Sequence, residues 1–238
     1  MLNKIKYIIK IFQKIKNLPQ VNIMFCNANN ISLDDYKATY RYFTKRHRLK
    51  LFKNKTIGIA LLDLSCFDTF EEYLASINGK NSAAYYARKA VKRGYKFIEI
   101  NRNEYIDDIY RINTSATIRQ GKEMSQQYLQ KQEKYVDKEN YRYFGIIDEK
   151  GILRSYCNIG FYGEFTLVSS LLGDKNYLND GIMYMMLIEF HKLMFQKYRD
   201  NGYKYVMYDT FFGASDGLVK FKNKLGYKPY KVKWLWEY

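Results

Sequence analysis

The spacing of apolar residues divides the chain into two unlike parts. Up to about residue 140, apolar positions mostly recur every three or four residues, the spacing that gathers them on one face of a helix. Short apolar runs at Val21 to Cys26, Thr56 to Leu64 and Phe97 to Ile100 interrupt this pattern and predict buried strands. The predicted helices lie at 32–46, 68–77, 82–93, 104–119 and 125–136.

Several of these helices carry end signals. Ser32 can cap the first, and Asp68 followed by Glu71 resembles a capping box at the start of the second. Gly94 can end the third helix in the left-handed conformation. A polar interruption that includes Arg119 and Gln120 separates the last two helices, and such a loop is a common place for a binding site.

From residue 140 onward the pattern changes to three alternating or apolar runs, Arg142 to Ile147, Leu153 to Phe161 and Thr166 to Leu172. Short turn-forming connections join these runs, which predicts three antiparallel strands in succession. A helix at 181–199, a strand at 205–208, a helix at 216–225 and a strand at 230–236 follow. This order indicates a mixed α/β (α+β) fold in which helices flank a mainly antiparallel central sheet.

Residues 2–17 have a pattern of their own. Isoleucines and Phe12 recur at helical spacing while lysines occupy most other positions, which predicts a basic amphipathic helix. Such a helix can lie on an anionic bilayer, and it can equally pack against the folded domain. No run approaches the roughly 18 apolar residues of a spanning helix, and no cleavage site follows an apolar run, so neither membrane spanning nor secretion is expected.

The charge balance points to an anionic partner. Lysine and arginine number 40 against 24 aspartates and glutamates, a formal net charge of +16. A nucleotide pyrophosphate, tRNA, an acidic glycan or an anionic membrane surface would each complement this charge. A compositional bias that spreads lysine over a solvated surface would explain the excess as well.

Several chemistries lack the residues they need. The sequence has no CxxC, HExxH, Walker-type phosphate loop or GxSxG motif, and its only histidines are His47 and His191. A metal site or a nucleophile elbow is therefore not expected, and both histidines are expected to be structural. Cys157 lies in an apolar run with nothing nearby to form a thiolate. The three separated cysteines are expected to be reduced, in a cytoplasmic protein.

The most informative segment is Asp209 to Pro229, which reads Asp-Thr-Phe-Phe-Gly-Ala-Ser-Asp-Gly-Leu-Val-Lys-Phe-Lys-Asn-Lys-Leu-Gly-Tyr-Lys-Pro. A strand ends, a glycine-containing turn follows, and a cationic helix carries Lys222 toward a cleft before Gly226 turns the chain back. This segment resembles the Gly-Leu-x-x-Phe-Lys-x-x-(Phe/Leu)-Gly region of GNAT-like acyltransferases, most closely their FemABX-like branch.

The resemblance implies a degenerate tandem of two GNAT-like halves, a shortened one at 19–138 and a second at 139–238, preceded by the helix within residues 1–18. The family's cofactor-phosphate loop corresponds here to the segment from Gly173 to Asp180, where helix N-terminal amides can hold a pyrophosphate. Asn179 and Gly181 are the implied cofactor-binding residues with Gly173. In this chain Leu178-Asn179-Asp180-Gly181 stands in place of the superfamily's Arg/Gln-x-x-Gly-x-Gly/Ala.

The resemblance also implies the chemistry, which is attack of an amine on a thioester or an aminoacyl ester. The donor would be acyl-CoA, with an acetyl or longer chain, or aminoacyl-tRNA, and no metal takes part. Lys222 is the candidate for stabilising an oxyanion or phosphate, Asp209 or Asp180 for the general base, and Tyr208 for the proton donor. Arg119 and Gln120 are candidates for substrate binding. A basic helix similar to one in FemABX-like proteins is a further candidate, through Arg88, Lys89, Lys92 and Arg93. For the residues of this helix, a solvated surface without a ligand is the alternative.

The expected function is therefore N-acyl transfer to an amino sugar or peptide precursor of a bacterial surface polysaccharide or cell wall. The helix at 2–17 would bring the enzyme to the inner face of the membrane. Two alternatives stay open. The cationic and aromatic residues could serve a nucleic-acid-binding protein, and a GNAT-like domain could persist as a scaffold that binds a partner without catalysis. The oligomeric state is left open by the sequence.

Overall fold

The computed structural model describes residues 15–26, 33–47, 52–119 and 121–237. Most of the helix predicted at 2–17 lies outside these ranges. So do Ser32, the predicted cap of the next helix, and Gln120. The strands are β1 (Gln20–Cys26), β2 (Ile57–Asp63), β3 (Lys96–Glu99), β4 (Ile118–Arg119), β5 (Lys122–Glu123), β6 (Tyr141–Ile147), β7 (Leu153–Tyr162), β8 (Phe165–Gly173), β9 (Tyr205–Thr210) and β10 (Lys228–Trp236). The helices are α1 (Leu33–Thr44), α2 (Phe70–Ser76), α3 (Ala83–Lys92), α4 (Ile106–Thr114), α5 (Gln126–Leu129), α6 (Ile182–Leu193) and α7 (Asp216–Lys224).

An eight-stranded sheet forms the centre of the molecule, in the order β1-β10-β2-β9-β8-β7-β6-β3. β1 pairs with β10 and β8 with β9 in parallel, and the other neighbours are antiparallel. The predicted fold class is confirmed, as are the antiparallel succession β6-β7-β8 and the order of the elements after it. β2 inserts between β9 and β10, so strands from both parts of the chain build the same sheet.

Helices cover both faces of this sheet because its strands alternate apolar residues to either side. Ala60 and Leu62 of β2 face the core on which α2, α3 and α6 pack. Their neighbours Ile59 and Leu61 face the opposite core, which α1 covers. α4 packs further along that second face, over Tyr143 of β6. Within the described ranges, no helix combines the length and apolar character needed to cross a membrane.

The outer edge of β1 is closed by the turn between β7 and β8. The amides of Gly163 and Glu164 donate to the carbonyls of Phe25 and Met24 at 3.0 and 2.9 Å, and the Glu164 carboxylate accepts from the Met24 amide at 2.8 Å. An exposed edge of unpaired backbone groups would invite pairing with another chain. The turn therefore protects the edge, and it needs glycine, because a Cβ at Gly163 would lie 2.4 Å from the Met24 carbonyl oxygen.

Replacing Gly163 by alanine should consequently lower the free energy of unfolding by about 2 kcal/mol, since the added methyl group pushes the turn off β1 and weakens its hydrogen bonds. Urea denaturation of the purified chain measures this. Gly217→Ala is the matched control, because a Cβ at Gly217 meets no atom within 4 Å. Equal denaturation midpoints for the two variants would show that the turn does not stabilise the fold.

Two helix predictions in the first part of the chain are wrong. α4 ends at Thr114 rather than near Arg119, because the hydroxyls of Thr114 and Ser115 donate to carbonyls of the last turn at 2.8 and 2.7 Å. The helix predicted at 125–136 is only the single turn of α5. The rest of that segment is held extended by the side chains of Arg102 and Asn103, which bond to backbone groups of Tyr135 and Val136.

Smaller differences concern helix ends. The capping box at α2 lies one residue later than predicted: Thr69 accepts from the Glu72 amide at 3.2 Å, and Glu72 accepts from the Asp68 amide at 2.8 Å. The long helix predicted at 181–199 is α6, which continues as a π-helical turn over Met194–Tyr198. α3 agrees with its prediction, including the positive φ of 79° at Gly94.

A buried chain of hydrogen bonds ties α2, α6 and the start of β10 together. His191 is fully buried, with Nδ1 at 2.7 Å from the Tyr73 hydroxyl and Nε2 at 2.8 Å from the Tyr227 hydroxyl. The Tyr73 hydroxyl donates onward to the Leu225 carbonyl at 3.1 Å. A neutral imidazole protonated on Nδ1 satisfies all three bonds. Burial lowers the pKa of His191 to about 3, as a structural histidine requires.

Candidate functional site

The central feature of the site is the place where β8 and β9 separate. Three residue pairs join the two parallel strands, from Phe165–Tyr205 to Leu167–Met207. Beyond them β8 continues beside β7 and β9 beside β2. A bulge at Ser169 in β8 coincides with the separation and turns the strand away. The facing edges of the two strands are therefore unpaired with each other along their second halves.

A cleft of about 560 Å³ opens at this point, a volume within the range of small-molecule sites. It lies between the ends of β8 and β9, the small hairpin β4–β5, and the first turns of α6 and α7. Its lining is mainly apolar and aromatic: Ala116, Ile118, Arg119, Leu171, Gly173, Lys175, Leu178, Met183, Tyr184, Tyr208, Ser215, Gly217, Leu218 and Phe221. Among these described residues there are two cations and no carboxylate.

Arg119 connects the hairpin to the end of β8. Its guanidinium donates to the Gly173 carbonyl at 2.9 Å, to the Ile112 carbonyl at 2.6 Å and to the Ser115 hydroxyl at 3.0 Å. These acceptors are all neutral, and the buried Nε has no hydrogen-bond partner. Burial lowers the pKa of Arg119 from its ordinary value, an effect that nearby Tyr156 and Asp174 partly oppose. The cleft wall thus contains a cation whose charge is incompletely neutralised.

Tyr208 and Lys222 lie at the end of β9. Tyr208 lines the cleft, and burial raises its pKa, so its phenol is neutral and can donate a proton at pH 7. Lys222 of α7 is 0% exposed, and its ammonium lies 4.8 Å from the centroid of the Tyr208 ring and donates to the Thr210 carbonyl at 2.7 Å. Burial lowers the pKa of Lys222 to about 8, with Asp209 opposing the shift and Lys55 adding to it. Lys222 lies behind the cleft wall and fixes the turn that leaves β9.

Asp209 lies beside these two residues but is solvent-exposed. Its side chain is 56% exposed and forms an ion pair with Lys55, which precedes β2. Asp209 has a φ of 52°, in the left-handed region that aspartate adopts more readily than most residues. The strand end is therefore locally strained next to Tyr208, a condition often found at functional sites.

The start of α6 is closed by α3, unlike the open phosphate loop that the family resemblance implies. Gly181 has a φ of 89°, and a Cβ there would lie 2.2 Å from the Tyr86 carbonyl oxygen of α3. The Asp180 carboxylate forms an ion pair with Arg93 and accepts from the Tyr95 hydroxyl at 2.7 Å. The Asn179 carbonyl accepts from Lys89 at 2.8 Å. Gly181 is thus packed against α3, and the Asp180 carboxylate and the Asn179 carbonyl are bonded to protein groups.

The basic residues of α3 have partners within the chain for the most part. Arg88 donates to the Asn78 side chain at 3.0 Å, Lys89 binds the Asn179 carbonyl, and Arg93 binds Asp180, while Lys92 is exposed. Lys89 and Arg93 thus join α3 to the segment before α6, and none of the four residues lines the cleft.

The structure gathers only part of the predicted site. Arg119, Gly173 and Tyr208 line the cleft, with Lys222 and Asp209 close behind the end of β9. Asp180, Asn179, Gly181 and the α3 cations form a separate cluster, and Gln120 lies outside the described residues. Lys175 was missed by the sequence analysis, although it lies in the loop between Gly173 and Gly181 that the sequence singled out. Among the described residues, no group of three or more His, Cys, Asp or Glu side chains could hold a metal ion.

The sheet, with its parallel pair that opens between two helix starts, is a GNAT-like fold of the FemABX-like type. The crystal structure of FemX superposes with a TM-score of 0.54 over 73% of this chain and 59% of FemX, at 11% identity. The chain thus spans about three-fifths of the length of FemX, and at this identity the likeness establishes the fold alone.

Two other solved structures match with lower scores. A tandem GNAT protein from the clavulanic acid biosynthesis pathway has a TM-score of 0.47 and 13% identity, over 87% of this chain and 59% of that one. L-PGS from Bacillus licheniformis has a TM-score of 0.44 and 18% identity, over 74% of this chain and 61% of that one. No protein-family model and no curated protein match the sequence.

Proposed function

We propose that the protein is an N-acyltransferase that moves an acyl or aminoacyl group from a thioester or ester donor to an amine. The observation that carries this proposal is the separation of β8 and β9 over a cleft with apolar walls and two cations. An opening between parallel strands places unpaired backbone groups against a bound ligand, and the fold is that of GNAT-like proteins.

The backbone of β8 supplies the electrostatic part of the reaction. N–H groups alternate between the two edges of a regular strand, so part of the β8 amides beyond the bulge at Ser169 face the side from which β9 has turned away. These donors can hold the carbonyl oxygen of the donor as it becomes an oxyanion. Fixed donors of this kind stabilise the tetrahedral intermediate without reorganisation during the reaction.

The proton transfers involve the end of β9. The amine nitrogen attacks the carbonyl carbon, the bond from carbon to the leaving sulfur or oxygen breaks, and the Tyr208 phenol gives that leaving atom a proton. The Asp209 carboxylate takes the proton that the amine loses, directly or through a water molecule, and a proton then returns from Asp209 to the Tyr208 phenolate through solvent, which restores both groups. Lys222 acts as a positioning residue, since it holds the Thr210 carbonyl and places a positive charge 4.8 Å from the Tyr208 ring.

The finer assignments come from the sequence resemblance and the charge of +16. We propose an amino sugar or peptide precursor of a bacterial surface polymer as acceptor, and acyl-CoA or aminoacyl-tRNA as donor. The protein would work in the cytoplasm, and residues 2–17 would hold it at an anionic membrane surface.

A transfer assay with the purified full chain tests the proposal. Acetyl-CoA, longer acyl-CoA donors and aminoacyl-tRNA are each combined with nucleotide-linked amino sugars, and amide products are identified by mass spectrometry. We expect amine-dependent release of thiol or tRNA together with a stoichiometric amide. Silence with every donor, combined with tRNA or DNA binding that weakens steeply with salt, would contradict acyl transfer and support the nucleic-acid-binding alternative.

A further inference from the structure

The walls of the cleft are mainly apolar and so complement an uncharged chain. Leu171, Met183, Leu218 and Phe221 contribute apolar surface from β8, α6 and α7, and the aromatic ring of Tyr184 continues it. Phe221 and Tyr184 pack against each other, with ring centroids 4.7 Å apart, so this wall is well defined. Apolar walls on several elements around one cavity favour a ligand that buries an alkyl chain rather than a small polar group.

The rim of the cleft is apolar and cationic at once. Ile118 is 62% exposed and Leu178 is 39% exposed, so two large apolar side chains of the cleft lining meet solvent at its rim. Lys175 stands beside them and forms no ion pair with any described carboxylate. Arg119 adds a second cation with neutral partners only. This combination is complementary to an amphipathic ligand with an anionic end.

An aminoacyl group does not fit this lining. Its α-ammonium would need a carboxylate, because an unpaired charge is costly to remove from water. None of the described residues that line the cleft is a carboxylate. The carboxylates of adjacent segments, Asp174, Asp180 and Asp209, are already ion-paired with Arg111, Arg93 and Lys55.

The helix start that the family resemblance implies as an anion site is packed against α3 on one side. A Cβ at Gly181 would meet the Tyr86 carbonyl oxygen, and the Asp180 carboxylate lies next to it, paired with Arg93. On this side of Gly181 a pyrophosphate would meet a backbone oxygen and a carboxylate. Arg119 and Lys175 are the two cations among the described residues that line the cleft.

We propose that the cleft binds an apolar acyl chain of several carbons, attached as a thioester to a phosphopantetheine whose anionic end lies at Arg119 and Lys175. The acyl carbonyl would then lie where β8 and β9 separate. The inference rests on the proposed function for its chemistry, and it narrows the donor to an acyl thioester longer than acetyl.

Calorimetric binding to the full chain tests the chain-length dependence without any turnover. Acetyl-, butanoyl-, hexanoyl- and octanoyl-CoA are compared at low salt, below micelle concentrations. We expect affinity to rise roughly fourfold for each added methylene until the cleft is filled. Acyl phosphopantetheine without the nucleotide separates coenzyme A from a carrier protein as the source of the anionic end. A flat series, or tighter binding of an alanyl thioester than of butanoyl, would overturn the proposal.

Two variants locate the ligand. Gly217 lines the cleft, and a Cβ added there meets no atom within 4 Å, so Gly217→Phe places a large apolar side chain at the cleft wall. Gly217→Phe should reduce the length of the longest acyl chain that binds, and Gly217→Ala should have a smaller effect. The melting temperatures of both variants should stay within a few degrees of that of the parent protein. Lys175→Gln should weaken binding roughly threefold to fivefold at low salt and less at high salt. Lys150→Gln, the same charge change in an exposed turn, should leave binding unaltered.

The outcomes for the two proposals are separable. If affinity depends on chain length and Gly217→Phe weakens it, but the transfer assay yields no amide product, the acyl-chain inference stands and the proposed acyltransferase activity is contradicted. Transfer from acetyl or aminoacyl donors with no preference for longer chains would support the proposed acyltransferase activity and overturn the acyl-chain inference. Binding of free octanoate as tight as that of octanoyl-CoA would overturn the role of Arg119 and Lys175 in holding a phosphopantetheine.

Discussion

Replacing Lys222 by methionine should lower the rate of acyl transfer on the order of 10²-fold, the effect of misplacing the reacting groups by about 1 Å. The ammonium holds the Thr210 carbonyl at 2.7 Å and lies close to Tyr208, so its removal frees the turn after β9 beside the reacting groups. Stability should change little, because an apolar side chain of similar length replaces a buried charge that is costly to desolvate.

The pH profile shows whether the charge of Lys222 matters. Its pKa is lowered to about 8, so the ammonium loses its proton as pH rises through about 8. The value of kcat/KM should fall over the same range in the parent protein. Lys222→Arg should keep activity to higher pH, since a guanidinium stays charged. Lys220→Met, an exposed lysine of the same helix, is the matched control and should retain the parent profile. If kcat/KM of Lys222→Arg falls over the same alkaline range as that of the parent, the fall is caused by another group.

Acid should unfold this protein largely through His191. The pKa of His191 is lowered to about 3 in the folded chain, against an ordinary value of about 6.5 in an unfolded one. Between these values the unfolded state binds the extra proton, so the stabilising contribution is complete above about pH 6.5 and is lost as pH falls. The free energy of unfolding should fall by about 1.4 kcal/mol per pH unit, which amounts to about 5 kcal/mol between pH 6.5 and 3. Urea denaturation at pH 7, 5.5 and 4.5 measures it.

The control for this prediction is a second histidine. In His191→Phe the free energy of unfolding should no longer fall through His191 between pH 6.5 and 3. At pH 7 this variant should already be less stable than the parent by about 2 kcal/mol, because the Tyr227 hydroxyl loses its partner in the core. His47→Phe replaces a histidine that stacks on Phe52 near the surface, and it leaves the buried chain intact. It should therefore keep the acid loss of the parent. Equal slopes in His191→Phe and the parent would show that carboxylates, and not His191, govern acid unfolding.

Much of the secondary structure could be predicted from local patterns. β6, β7 and β8 were recognisable because buried strands in succession read as apolar runs separated by turn residues. The end of α3 was recognisable from Gly94, since a left-handed residue there costs glycine nothing. The segment from β9 through α7 to β10 followed its motif closely, because each boundary carries its own local signal in Ser215 and Gly226.

The failures have a common cause, which is bonding to residues distant in the chain. Residues 130–136 have helical periodicity, yet Arg102 and Asn103 supply partners for the backbone of Tyr135 and Val136 that a helix would otherwise provide. Arg119 was predicted at a helix end and instead bonds to the Gly173 carbonyl, 54 residues away. No local pattern contains such partners, so propensity alone extends the helices too far.

The fold class, the order of the elements in the second part and the interest of Lys222 and Tyr208 follow from periodicity and from one contiguous motif, so they can be read from the chain alone. The insertion of β2 between β9 and β10, the separation of β8 and β9 after three pairs and the packing of α3 against Gly181 become visible only in three dimensions. Strand pairing and helix packing depend on which distant surfaces bury each other, and that information is carried by the whole set of contacts rather than by any one segment.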